Sequence, residues 1–281
     1  MKHGITERNN VIFDLVVRSY IDTAEPVGSR TISRHFDIGL SSASVRNVMS
    51  DLEEQGYLKQ PHTSAGRVPT DLGYRYWVDS LMQQETLGER EKDRIQDELR
   101  SARSIETLAE KICKAISEMT GNVVIVYVKN LKRISFLNHL LSDLVESEKL
   151  ADFFEEEPEL FIDGASRIFE QPEFQDLAKM RVLLHAFDEK EDFLNALMGD
   201  LIEEEGPGAR GVLKNGVNVR IGSENDLRDL EDVSLVTKDC YLSRTPVGGV
   251  AIVGPTRMKY PKVMAAVDYV ADSVSELVGR F

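Results

Sequence analysis

The sequence predicts an α+β chain: a helical head, a long helical connector, and a C-terminal part in which strands and helices alternate. Three observations lead there. Apolar residues recur at helical spacing through the first 120 residues, and residues 86–119 contain no proline. Beyond residue 121 the pattern changes to apolar, β-branched runs at 122–128, 217–221, 233–242 and 248–253.

Thr6 to Asp22 reads as the first helix, with Val11, Ile12, Leu15, Val16 and Tyr20 on its inner face. The stretch Ala24 to Ser29 breaks it, because Pro26 disfavours helical backbone at Glu25. Gly28 or Ser29 then starts a short second helix through about His35, with Arg30 and Arg34 four apart on its surface. Phe36 to Leu40 is a turn. Ser41 or Ser42 can cap a third helix through its hydroxyl. Val45, Val48, Met49 and Leu52 form one apolar face of that helix, while Ala43, Asn47 and Ser50, flanked by Arg46, form the other. Gly56 supplies its left-handed stop. Tyr57–Gln60 and Arg67–Val68 then pair as short strands around the tip His62–Gly66, bracketed by Pro61 and Pro69. Thr70 or Asp71 caps a fourth helix that turns Tyr74, Trp77, Val78 and Leu81 inward.

That order is a winged helix-turn-helix, and its side chains suit double-stranded DNA. Small residues let a helix approach a groove, and Arg and Asn bond base edges bidentately. The candidate contacts on the third helix are Ser41, Ser42, Ser44, Arg46, Asn47 and Ser50. Arg30, on the helix that crosses the backbone, is a phosphate contact. His62, Thr63 and Ser64 can donate to phosphate from the wing, and Arg67 can reach an adjacent minor groove. Arg75 can touch backbone from the fourth helix. The acidic residues Asp51, Glu53 and Glu54 repel phosphate, so only the first two turns of the third helix should enter a groove.

In the connector, Ala102, Ile105, Ala109, Ile112, Ile116 and Met119 repeat at alternating three- and four-residue spacings. This seam either pairs in a dimer, through Ile105, Ile112, Ile116 and Met119, or docks on the chain's own C-terminal domain. Asn122–Val128 is a buried strand, followed by a weaker strand at 134–137 and a helix at 140–154. An acidic breaker at 155–159 precedes a strand at 160–162 and a short helix after Gly164. Two amphipathic helices fill 172–204, and a closing helix runs from about Pro261 to Val278. The strands near 233–242 and 248–253 form a hairpin across Ser243–Pro246.

The chain has 281 residues, 34 basic and 48 acidic, a net charge of −14. Residues 1–80 hold 9 Lys/Arg and 10 Asp/Glu, so nearly all the excess acid lies in the remainder. A near-neutral head on an acidic body fits a reader that meets DNA at one end only. Cys113 and Cys240 are isolated and the five histidines form no ligand cluster, so no metal is expected. No apolar run spans a membrane and the start has no signal-peptide core, which points to the cytoplasm. There is no P-loop, nucleophile elbow, dinucleotide fingerprint or zinc signature, so neither a cofactor nor an enzyme is expected. GVNVRIGSEN and GPTR have polar ends that can line a ligand pocket, or serve as ordinary turns and caps.

The segments EPVGSRT at 25–31, LSSASVRN at 40–47, DLEEQGYLKQPHTSAGRVPT at 51–70 and GYRYWVD at 73–79 resemble the heat-inducible transcription repressor HrcA family. ELFIDGASRIFEQPEF at 159–174, VRIGSEN at 219–225 and VGGVAIVGPTRMKYPKVMAAVDYV at 247–270 extend the resemblance. It implies a dimeric repressor of chaperone genes that binds an inverted-repeat operator and depends on a GroEL-type chaperonin. It also implies a GAF-like C-terminal domain interrupted by an inserted dimerisation domain. The resemblance lapses between about Leu131 and Glu159, where the chain is shorter, and Val48 stands where the family usually has glutamate. The expected organisation is thus a head at 1–83, a connector helix at 84–120, and a GAF-like effector and dimerisation domain at 121–281, its insertion reduced around 131–159. The alternative is a winged-helix regulator whose GAF-like domain senses a small molecule.

Overall fold

The computed structural model describes residues 5–128, 159–168, 170–176, 179–181, 216–225, 230–242 and 245–278. The strand expected at 134–137, the helix at 140–154, the reduced insertion and most of 172–204 lie outside the described residues. Two compact units result. One comprises Met1–Glu85 with Ile221–Ser234 and Pro255–Pro261, and the other Thr86–Arg220, Leu235–Gly254 and Lys262–Phe281.

The first unit begins with α1 (Glu7–Thr23), capped by Thr6, whose hydroxyl accepts from the Asn9 N–H. Its buried face is Ile12, Phe13, Val16, Val17 and Ile21, while Val11 is exposed. The face is therefore rotated by about one residue from the one expected. Phe13 sets the rotation, because its ring lies 6.0 Å from those of both Tyr57 and Tyr76. Helix α2 (Ser29–His35) follows a loop in which Val27 is buried, and α3 (Ser42–Glu54) follows the turn. Val45, Val48, Met49 and Leu52 are buried as their spacing requires. Gly56, with a φ of 83°, stops the helix. Strands β1 (Leu58–Lys59) and β2 (Val68–Pro69) pair antiparallel. Helix α4 (Asp71–Ser80) is capped by Thr70, which accepts from the Gly73 N–H at 3.0 Å and donates to the Gly56 carbonyl at 2.6 Å. Trp77 is buried, with its indole N–H on Asp14 at 2.7 Å.

The expected single connector helix is two helices, α5 (Glu89–Ser101) and α6 (Ile105–Thr120). The break has a local cause. Ser104 caps α6 by accepting from the Thr107 N–H, and Ala102 is extended. The helices fold back on each other, with Arg94 paired to Glu118 and Lys111 to Glu98. Most of the seam lies within this unit: Ala109, Ile112 and Ile116 are all buried, and α6 packs on strands β3 (Val123–Val128) and β4 (Glu159–Asp163). The alternative of docking on the chain's own domain therefore holds for Ile112 and Ile116. They are not available to a second copy, whereas Ile105 and Met119 are half-buried.

After β4 come the short α7 (Ala165–Ile168) and a 3-10 turn at Pro172–Phe174. Glu159, expected in the acidic breaker, is the first residue of β4. Strands β5 (Asn218–Ile221), β6 (Val233–Leu242) and β7 (Thr245–Pro255) complete a five-stranded sheet in the order β4-β3-β7-β6-β5. β3 runs antiparallel to both β4 and β7. Sequential β6 and β7 are neighbours, as the hairpin reading requires, and α8 (Tyr260–Val278) closes the chain. Cys113 and Cys240 are buried, and burial pushes both thiols up to about 12, so neither offers a thiolate at neutral pH. Among the described residues, no helix is long and apolar enough to cross a membrane.

Candidate nucleic-acid interface

Helix α3 has the division of labour that groove reading demands. Its apolar face is sealed against the core, while Ala43, Arg46 and Asn47 are exposed on the other side within its first two turns. Ser41 is the cap: its oxygen accepts from the Ser44 N–H at 3.1 Å and lies 3.0 Å from the Ser44 hydroxyl. Ser42, Ser44 and Ser50 are half-buried flanks of the exposed strip. Arg30 is exposed on α2, as is Arg34.

In the wing, His62, Thr63 and Ser64 are exposed at the tip. Gln60 holds the tip in shape, its amide N–H donating to the Thr63 and Ala65 carbonyls at 3.1 and 2.8 Å. Sequence reasoning missed this role, although Gln60 directly precedes Pro61 at the mouth of the turn.

Arg67 and Arg75 are both paired within the chain. Arg67 was expected in a minor groove, yet its Nε and Nη2 both bind Glu53 Oε2 at 2.8 Å. Its backbone bonds Val27 in both directions at 2.9 Å. The guanidinium is thus committed to the last turn of α3, and Glu53 is the partner that sequence reasoning overlooked. Arg75 was expected on DNA backbone. It instead forks onto the Glu224 carboxylate, with Nε to Oε1 at 2.8 Å and Nη2 to Oε2, and pairs with Asp79 at 3.2 Å. Asp71 accepts from the Ser223 N–H at 3.0 Å, and Arg257 donates to the Ile21 carbonyl at 3.3 Å. Tyr260 is buried beside Tyr74 and Trp77, at ring distances of 6.0 and 6.5 Å. The polar ends of GVNVRIGSEN and GPTR are therefore anchors onto α1 and α4 within the first unit.

The second unit contains an apolar hollow between α6, the sheet and α8, lined by Leu108, Ile112, Tyr127, Cys240, Val250 and Val274 among others. The Tyr127 hydroxyl is already bonded to Asp239, and the other named side chains offer a polar effector little to hold.

A capped helix with a sealed apolar face and an exposed Arg-Asn strip, followed by a stapled wing, defines a winged helix-turn-helix transcription regulator. The profile of the HrcA protein C-terminal domain matches residues 135–264. The heat-inducible transcription repressor HrcA of Desulfitobacterium hafniense is 32% identical, with 97% of each chain covered. That of Geobacter sulfurreducens is 33% identical, with 98% of each covered. The chain belongs to the HrcA family of heat-inducible transcription repressors. It is a regulator of transcription and not an enzyme. A crystal structure of a hypothetical protein shares the fold over 98% of this chain and 99% of its own, with a TM-score of 0.71 at 20% identity. The alignment to the Desulfitobacterium relative is 348 residues long, more than the 281 of this chain, so that relative carries segments this chain lacks.

Proposed function

We propose that this chain represses chaperone genes in the cytoplasm by binding an inverted-repeat operator as a dimer, with a GroEL-type chaperonin modulating its activity. The head at 1–83 carries the DNA contacts, and residues 121–281 carry the effector and dimerisation role. The observation that carries this reading is the exposed strip of α3, beside a wing tip of three exposed polar residues, in a family of heat-inducible repressors. Arg46 and Asn47 read base edges, with Ser42, Ser44 and Ser50 alongside. Ser41 caps the helix and touches backbone. Arg30, His62, Thr63 and Ser64 contact phosphate and fix register. Two heads joined by a two-fold read two half-sites, which gives the discrimination that one half-site lacks. Because Ile112 and Ile116 are buried within one chain, Ile105 and Met119 are the seam residues left for a dimer contact.

The test is a footprint of the full chain on the promoter of the source organism's own chaperone operon, with and without its chaperonin. Two protected half-sites, strengthened by chaperonin, support the reading, and sedimentation of the same sample should give a dimer. Absence of protection under both conditions removes it.

A further inference from the structure

The wing is fastened to the recognition helix by one half-buried ion pair and to the loop before α2 by a backbone bridge, and both fastenings meet at Arg67. Its side chain grips Glu53 at the end of α3, and its N–H and C=O bond Val27. The preceding residue leaves no slack. A Cβ built on Gly66 would lie 2.4 Å from the carbonyl carbon and oxygen of Val27, so only glycine lets the two backbones meet. Arg67 and Glu53 are 19% and 31% exposed at their side chains, enough shelter for the pair to hold its geometry. Gln60 then fixes the short remaining span to the tip.

We infer that Glu53 and Arg67 are positioning residues for operator recognition: the pair sets the wing tip at a fixed offset from Arg46 and Asn47. The inference rests on the repressor reading above and deepens it. Glu53 lies roughly two helical turns beyond Arg46 and Asn47, so rotation about the end of α3 would swing the tip away from the backbone that the helix addresses. The pair has a second consequence. Arg67 neutralises one of the three carboxylates at the end of α3, leaving Asp51 and Glu54 to face solvent. An Arg spent in this way is not a phosphate contact.

The experiment uses the full-length protein and the promoter fragment protected in the footprint, with a scrambled duplex of equal length as the reference. Glu53→Gln, Arg67→Gln and the double variant are compared. Each single variant should lose roughly tenfold in the ratio of specific to scrambled binding, about 1.4 kcal/mol. The double should lose no more than either single, because both break the same pair. The log–log salt slope of Arg67→Gln should match wild type, and amide exchange at 62–66 should quicken without DNA. Thermal unfolding shows whether each variant is folded at the assay temperature. Should Arg67→Gln fail to fold, Gln60→Ala, which frees the tip alone, should quicken exchange at 62–66 and lower the same ratio. Two results overturn the inference. One is additive losses, and the other is a salt slope flattened by about one unit in Arg67→Gln with Glu53→Gln unchanged, the signature of a lost phosphate contact. If wild type protects no fragment, the repressor reading falls and takes the positioning role with it. If wild type protects and the cycle is additive, only the positioning role falls.

Discussion

The proposed groove side of the first unit, on α2 and α3, and its α4 side hold the same residue types in opposite electrostatic states. On the groove side, Arg30, Arg34 and Arg46 are exposed on α2 and α3. On the α4 side, Arg75 is 17% exposed at its side chain and fixed by Glu224 and Asp79, while Arg257 is spent on the Ile21 carbonyl. An arginine held by an anion of its own chain must give up that pair to reach DNA. On the α4 side one of those anions, Glu224, comes from a distant segment of chain. Ser223, Glu224, Arg257 and Tyr260 dock on α1 and α4, and no comparable segment covers the exposed strip of α3 among the described residues. One side is thus packed and the other left exposed, and substitutions should separate the proposed binding role from stability.

The largest expected effect is on the α4 side. Trp77 is 2% exposed, donates its N–H to Asp14 and stands beside Tyr260. Trp77→Ala should lower unfolding free energy by about 3–5 kcal/mol, as large buried aromatics do. Chemical denaturation measures it. A loss under 1 kcal/mol would mean that this side is not the unit's core.

Groove-side substitutions should do the reverse. Arg46→Ala and Asn47→Ala should each cost about 1–3 kcal/mol of operator discrimination. Unfolding should change by no more than about 0.5 kcal/mol, because both side chains are exposed. Retained discrimination in both variants would show that α3 does not read bases.

Arg75→Met sits between these in size. It strands the Glu224 carboxylate, which is 30% exposed at its side chain and therefore partly rehydrated. The expected stability loss is about 1–2 kcal/mol, below the value for a fully buried pair. Salt dependence of DNA binding should be unchanged. A slope reduced by one unit would return Arg75 to the list of phosphate contacts.

These contrasts also mark how much was legible in the sequence. The apolar face of α3, its serine cap and its Gly56 stop follow from local rules, because each acts through neighbours four residues away or fewer, whereas the first wing strand is shorter than expected and the second takes in Pro69. The strands at 122–128, 217–221 and 233–242 were legible for the same reason: runs of apolar β-branched residues leave little choice. What was not legible was non-local. The partner of Arg75 lies 149 positions away, so no window around residue 75 contains Glu224. Arg67 and Glu53 are 14 apart across a turn, close enough to suspect only once the wing's register is known. The connector failed differently. Its heptad spacing ran through Ala102–Ser104, although Ser104 followed by Thr107 already carried a cap signal that could have split it.

The smallest expected effect decides whether one residue belongs to both sides of the comparison. Ser41 caps α3 through its hydroxyl, yet it is exposed at the end of the helix that would enter the groove. Ser41→Ala removes the acceptor for the Ser44 N–H and should cost about 1 kcal/mol of stability, with some loss of operator binding from a frayed first turn. That result alone does not separate capping from contact. Ser41→Asp does, because aspartate is an equally good cap and its charge suits a helix N-terminus. Its stability should match wild type or exceed it by a few tenths of a kcal/mol. In a groove the same carboxylate meets phosphate, so operator affinity should fall below that of Ser41→Ala despite the better-formed helix. Raising salt should narrow the gap between the two variants, since phosphate repulsion is screened and a lost cap is not. If Ser41→Asp binds operator as well as wild type at low salt, the N-terminus of α3 lies clear of the DNA, and Ser41 is a cap only.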